Sequence, residues 1–318
     1  MPVVVAEIVR SGIVEGVHCG RVVALGADGA PGYSRGDVAA PMLPRSCSKP
    51  LQAVAMVRSG LPLDGHLLAL ACASHSGEQF HLDGVREILA EAGLDESALQ
   101  NPVGWPLSEH VRDQVVAAGS GPDVLRMNCS GKHAAMLLTC VVNGWPVATY
   151  LDPEHPLQVA IADTVADLAG EPIAGSTTDG CGAPLLAVSL VGLARAFRAV
   201  ATSAEPAAAR VAAAMRSYPE YLSGTDRDEL ALARAVPGAL VKFGAEACYA
   251  VALADGRSFA LKIDDGGDRA RPVVMSALLD HLGVTTEPGV DGPAVLRLGR
   301  AELYGGSHVV GEIRAVLS

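Results

Sequence analysis

Pro44-Arg45-Ser46-Cys47-Ser48-Lys49-Pro50 holds a hydroxyl at Ser46 and an amine at Lys49, three residues apart. The run that follows, Leu51 to Val57, has apolar residues at helical spacing and stops at Ser59-Gly60. That pattern predicts a helix over about 46–58. Positions i and i+3 share a helix face, so Ser46 and Lys49 would lie side by side at its N-terminus. A serine becomes an effective nucleophile when a neighbour takes its proton, and an unprotonated lysine can do this. The helix N-terminus also favours a developing alkoxide. Taken alone, the motif is weak, and a serine N-cap followed by a solvated lysine is the simpler reading.

Working outward, 318 residues suffice for one large mixed domain, and a 50% hydrophobic content provides its core. Aromatics are only 4%, so that core is built from Ala, Val and Leu. A net charge of −11 argues against a nucleic-acid partner, and no apolar run approaches bilayer length. Met1-Pro2-Val3-Val4-Val5-Ala6-Glu7 reads as a first strand, not a signal peptide. The seven cysteines are odd in number and form no C-x-x-C pair, so reduced thiols in a cytoplasmic protein are expected.

Strands are predicted at 3–9 and 21–26. Helices are predicted at 80–93, 134–142, 156–169, 185–201, 204–216 and 272–283. Ala239–Phe243 and Ser258–Ile263 read as adjacent strands. Gly244-Ala245-Glu246-Ala247 interrupts the first, which Cys248–Ala254 then continues. A short strand near Ile313 ends the chain. Strands at both ends with helices between them predict one α+β domain over 1–318, its N- and C-terminal strands sharing a sheet.

Four further clusters carry chemistry. Ser74-His75-Ser76 ends the buried run Leu67–Ala73 and offers hydroxyls and a proton carrier, although helix capping explains it as well. Cys129-Ser130-Gly131-Lys132-His133 lacks the earlier glycine and the Ser/Thr after lysine that a phosphate loop needs. Cys129, Lys132 and Cys181 could hold zinc, although on the residues alone inert buried thiols are the simpler reading. Asp179, in a glycine-rich loop, suits an ammonium group, or simply a turn. Lys242 lies inside an apolar strand, where an unpaired charge is costly. Lys242-Phe243-Gly244 matches the K-x-G edge strand that flanks the nucleophile in S-x-x-K hydrolases. An outward-facing edge lysine is the alternative.

Together these motifs resemble the Rhizobium etli-type L-asparaginases of the asparaginase II family. The match runs through Ser11-Gly12-Ile13-Val14-Glu15, Arg45-Ser46-x-x-Lys49-Pro50, Cys72-Ala73-Ser74-His75, Cys129–His133, Thr178-Asp179-Gly180-Cys181 and Lys242-x-Gly244-Ala245. The resemblance implies a fold similar to serine β-lactamases and serine-dependent glutaminases, an α/β sandwich. It implies hydrolysis of L-asparagine to L-aspartate and ammonia, with Ser46 as nucleophile, Lys49 as its base, and a second pair, Ser74 and Lys242. It implies zinc on Cys129, Lys132 and Cys181, substrate contacts from Arg45, His133 and Asp179, and a homodimer. Within the motifs, Ser48 competes with Ser46, and Ser76 with Ser74. The alternatives are another amide or ester hydrolase of this architecture and a non-catalytic zinc-containing amino-acid-binding protein.

Overall fold

The computed structural model describes residues 3–318. Its strands are β1 (Val3–Arg10), β2 (Ile13–Leu25), β3 (Pro31–Arg35), β4 (Pro41–Met42), β5 (Gly175–Thr178), β6 (Pro184–Ser189), β7 (Leu240–Gly244), β8 (Cys248–Ala252), β9 (Ser258–Ile263), β10 (Ala301–Gly305) and β11 (His308–Ala315). The main sheet has the order β10-β11-β1-β2-β9-β8-β7, with β3 paired to β2. The N-terminal β1 and the C-terminal β11 are antiparallel neighbours, and β2 pairs with β9. One sheet therefore joins the two ends of the chain, as the strand distribution predicts. Most of the intervening sequence is helical.

The period-two alternation of a strand sorts the core into two layers. Cys248, Ala250 and Ala252 of β8, and Ala260 of β9, join the cluster beneath the helical middle region. Their neighbours Tyr249, Val251, Phe259, Leu261 and Ile263 join the opposite cluster, with Val273, Val274 and Leu278 of the helix Ala270–His281. Small residues on the first face let the helix Leu190–Thr202 approach the sheet closely, while bulky residues fill the second. The result is helices, sheet, helices: the expected α+β sandwich. All five residues of β8 are buried, as a strand covered on both faces requires.

Three local expectations need correction. The predicted helix 185–201 is strand β6 followed by a helix from Leu190. Leu185-Leu186-Ala187-Val188 is an uninterrupted apolar run whose period does not separate strand from helix. Ser189, whose hydroxyl accepts from the Gly192 N–H at 2.9 Å, marks the true helix start. The interrupted strand 239–254 is instead a hairpin, β7 and β8, with Gly244 opposite Cys248. Finally, Arg45–Ser48 forms a 3-10 turn ahead of the α-helix Lys49–Arg58.

Candidate active site

The turn carrying Ser46 lies against β7, the edge strand carrying Lys242. Gly244 makes this approach possible. A Cβ there would lie 2.5 Å from the Pro44 carbonyl oxygen and 3.1 Å from the amide nitrogens of both Ser46 and Cys47. The Cys47 thiol adds a contact to the Lys242 carbonyl at 3.2 Å. On the other side of Ser46, Arg45 has a φ of +49°. Non-glycine residues rarely adopt this region, and such strain gathers at functional sites.

The competing hydroxyls separate cleanly. Ser48 donates to the Arg45 carbonyl at 2.8 Å and accepts from Gln52 at 3.1 Å, so it is committed to closing the turn. Ser76 donates to Glu78 at 2.7 Å. Among the described residues the Ser46 hydroxyl has no such partner. Ser74 is wholly buried and accepts from the Lys49 amine at 3.0 Å, while that amine also donates to the Ala73 carbonyl at 2.5 Å. Lys242 donates to the Phe243 carbonyl at 2.9 Å. The direct Ser–Lys hydrogen bond is thus Ser74 to Lys49, crossing the two pairs expected from the resemblance. Burial drives the Lys242 amine down to about 7, with the Lys49 and Arg227 charges acting the same way and Glu229 opposing.

His75 acts as a brace. Its N–H donates to the Asn128 carbonyl at 3.1 Å, and its ring meets the Ser130 hydroxyl at 2.8 Å. Ser130 itself donates to the Leu125 carbonyl at 2.7 Å, so His75 Nε2 carries the donated proton. Burial holds this imidazole well below its ordinary pKa, hence neutral. The capping reading of this stretch does not hold, since the helices Gly65–Ala71 and Gln79–Glu91 on either side take no side-chain cap from it; His75 instead ties the Ser74 loop to the Cys129 loop.

The second half of the site gathers Cys129, Lys132 and Cys181, all buried. The Lys132 amine lies 3.1 Å from the Cys181 sulfur. Cys181 is held as a thiolate, chiefly by the Cys129 thiol, with Lys132 and His133 assisting against the cost of burial. His133 is lowered to about 4 by burial and the Lys132 charge, so it is neutral. The Tyr150 hydroxyl accepts from the Gln100 N–H at 3.1 Å and meets His133 Nδ1 at 2.7 Å. His133 Nε2 is buried without a hydrogen-bond partner among the described residues. Two thiols suit zinc chemically, while the Lys132 amine, raised by the neighbouring sulfurs, would have to lose its proton before it could join them. Among the described residues, no three His, Cys, Asp or Glu side chains gather as a metal site.

Arg45 spans both halves. Its Nε donates to Asp179 at 2.7 Å, and the Gly180 N–H donates to the same carboxylate oxygen at 2.9 Å. Glu246, at the β7–β8 hairpin tip, lies 3.8 Å from the other end of the guanidinium. Neither Glu246 nor the acid–base cluster behind Lys242 stood out in the sequence. One compositional signal did point to the site: the chain has four lysines among its 24 basic residues. Three of them, Lys49, Lys132 and Lys242, are buried here.

A family model described as L-asparaginase II matches residues 6–315. No curated protein matches the chain in sequence. Among solved structures, a beta-lactamase from Mycobacterium bovis is similar over 82% of this chain and 94% of its own, at 15% identity and a TM-score of 0.46. Native Mglu is similar over 82% of this chain and 63% of its own, at 16% identity and a TM-score of 0.43. A Bacillus glutaminase is similar over 83% and 90%, at 12% identity and a TM-score of 0.36. The near-complete family match, not these loose structural likenesses, carries the assignment. Among the described residues, no helix is long and apolar enough to cross a membrane.

Proposed function

The chain belongs to the L-asparaginase II family, and from that premise we propose that it hydrolyses the side-chain amide of L-asparagine through an acyl-enzyme on Ser46. The observation that carries this reading is the buried contact of Ser74 with Lys49, beside an unengaged Ser46 and the low-pKa amine of Lys242.

In molecules whose Lys49 amine is unprotonated, and so no longer repels a charge on Lys242, Ser46 Oγ attacks the amide carbon while its proton passes to that amine. Lys49 donates an N–H to Ser74, and Ser74, accepting that bond, keeps its own proton free to give to Lys242. The proton of Ser46 thus comes to rest on Lys242, the amine whose surroundings leave it half proton-free near neutrality. Backbone N–H groups of the Ser46 turn, held close to β7 by Gly244, suit the oxyanion. Collapse breaks the C–N bond as the relay runs backwards and protonates the departing nitrogen. Water then cleaves the ester, giving L-aspartate and regenerating Ser46.

Arg45 and Asp179 form a charge pair suited to the substrate's α-carboxylate and α-ammonium groups. His133 presents its Nε2 beside them. Cys129, Lys132 and Cys181 would hold zinc, which when bound would tie the two loops together and offer an open position to a substrate oxygen or nitrogen. A homodimer belongs to the same reading.

The test is ammonia release from L-asparagine and L-glutamine by the wild-type protein and Lys242→Ala, side by side. Release from asparagine that the variant loses supports the proposal. Release from glutamine in preference, or from neither amide, overturns the substrate.

A further inference from the structure

Behind Lys242 lies a cluster of charges that the reaction does not use directly. The helix Asp228–Ala235 packs on β7. From its start, Glu229 meets Arg227 at 3.3 Å, and Asp228 meets Arg271 at 2.9 Å. The Arg227 and Arg271 guanidinium groups and the Lys242 amine all lie over the Phe243 ring, at 4.3, 4.8 and 4.5 Å from its centroid. Glu229 and Arg271 are almost fully buried.

The bonding is incomplete in a telling way. Glu229 Oε1, Asp228 Oδ2, Arg271 Nε and Nη1, and the Tyr249 hydroxyl are all buried without partners. Buried polar groups are normally satisfied, so a buried charge cluster left this way calls for an explanation. Glu229 makes one long bond. Arg227 and Arg271 balance Asp228 and Glu229, so a proton on Lys242 adds an uncompensated charge to a closed site.

We propose that Glu229 is a positioning residue that governs the proton on Lys242, its carboxylate serving as the counter-charge against which that amine is loaded and unloaded. Burial acts to raise the Glu229 carboxyl. The charges of Arg227, Lys242 and Arg271 outweigh it, so Glu229 stays ionised and available for this role. The other groups around Lys242 do not replace it. Lys49 and Arg227 repel a second positive charge, and Cys47, which acts on the Lys242 amine in the same direction as Glu229 but more weakly, is itself pushed well up by burial and by Cys248. Cys72 is likewise raised, to about 12. Arg216, on the helix Pro206–Ser217, donates to the Gly238 and Ala201 carbonyls. Asp228 is raised to about 6 by burial and by Glu229, and is the weaker counter-charge.

The functional meaning rests on Lys242 serving the proton relay, but the test does not. With four lysines in the chain, protein labelled with 13C at lysine Cε gives four signals, and Lys242→Met identifies one of them. In the wild type the Lys242 signal should titrate near 7. In Glu229→Gln its midpoint should fall by about one pH unit, and in Arg227→Gln it should rise by a similar amount. An unmoved midpoint in folded Glu229→Gln, or shifts of the same sign in both variants, overturns the inference. If Glu229→Gln does not fold, Arg227→Gln decides alone: a rise supports the inference and no change overturns it. Should the midpoints move as stated while the acid limb of kcat/KM stays fixed, Glu229 keeps its role and Lys242 loses its place in the relay.

Discussion

Lys242 and Lys132 are equally hidden, at 1% and 2% exposure, yet their amines are driven in opposite directions. Burial pushes both down. At Lys242 the repelling Lys49 and Arg227 reinforce that push against Glu229, and the amine falls to about 7. At Lys132 the adjoining Cys181 and Cys129 sulfurs outweigh burial, and the amine rises. The difference teaches that desolvation alone does not make a lysine a base. The neighbouring charges decide: they lower the amine in one half of the site and raise it in the other.

The largest expected effect falls on the half that holds Ser46 and Lys242. Ser46→Ala should lower ammonia release by about 10⁴-fold or more, with an unchanged melting transition. Wild-type-like turnover would remove Ser46 from the chemistry. Lys242→Met should cost roughly 10²- to 10⁴-fold in kcat. The same substitution should also stabilise the fold. An amine that is neutral inside and charged when unfolded takes up a proton on unfolding, so stability falls as pH drops from the unfolded pKa towards 7. Removing the amine removes that penalty, and Tm at neutral pH should rise by a few degrees. Lys132→Met should do the opposite, because it leaves the Cys181 thiolate without its cation. A fall in Tm for both variants would erase the contrast between the two lysines.

Gly244→Ala sits between these in size. Its Cβ would meet the Pro44 carbonyl, so the Ser46 turn must move. A loss of about 1–3 kcal/mol in stability is expected, together with reduced kcat. Unchanged kcat would mean that the turn's closeness to β7 does not matter. Cys181→Ser should weaken zinc retention by at least roughly tenfold, and in metal-free protein it should lower Tm as Lys132→Met does, because it leaves the buried Lys132 amine without its anion. Equal zinc content by elemental analysis would take Cys181 out of the donor set.

Much of this was legible in the sequence, for identifiable reasons. A single sheet joining both termini followed from where the β-rich runs fall, and the core's small residues followed from the shortage of aromatics. The Ser46–Lys49 spacing and the amine of Lys242 in an apolar strand were readable in the residues themselves, whereas the Cys129–Lys132–Cys181 set came only from the family resemblance. What was not legible depends on contacts between distant segments. No spacing rule reveals that Lys49 reaches Ser74, 25 positions away. Nor does one show that Ser48 and Ser76 are drawn off by Arg45 and Glu78. Asp228 and Glu229 look like ordinary first-turn acids, and only the packing of their helix on β7 brings them to the strand that carries Lys242. Strand β6 was missed because a continuous apolar run has no period to read.

The central claim is that the amide carbon becomes bonded to Ser46. Rapid acid quenching of the wild-type protein with L-asparagine, followed by mass spectrometry of the peptide containing Ser46, tests it most directly. The account predicts an aspartyl ester on Ser46 that appears within the first turnovers, is absent from Ser46→Ala, and accumulates further in Lys242→Met if deacylation is slowed. Ammonia release at full rate with an unmodified Ser46, or an adduct on Ser48 or Ser74 instead, would contradict it.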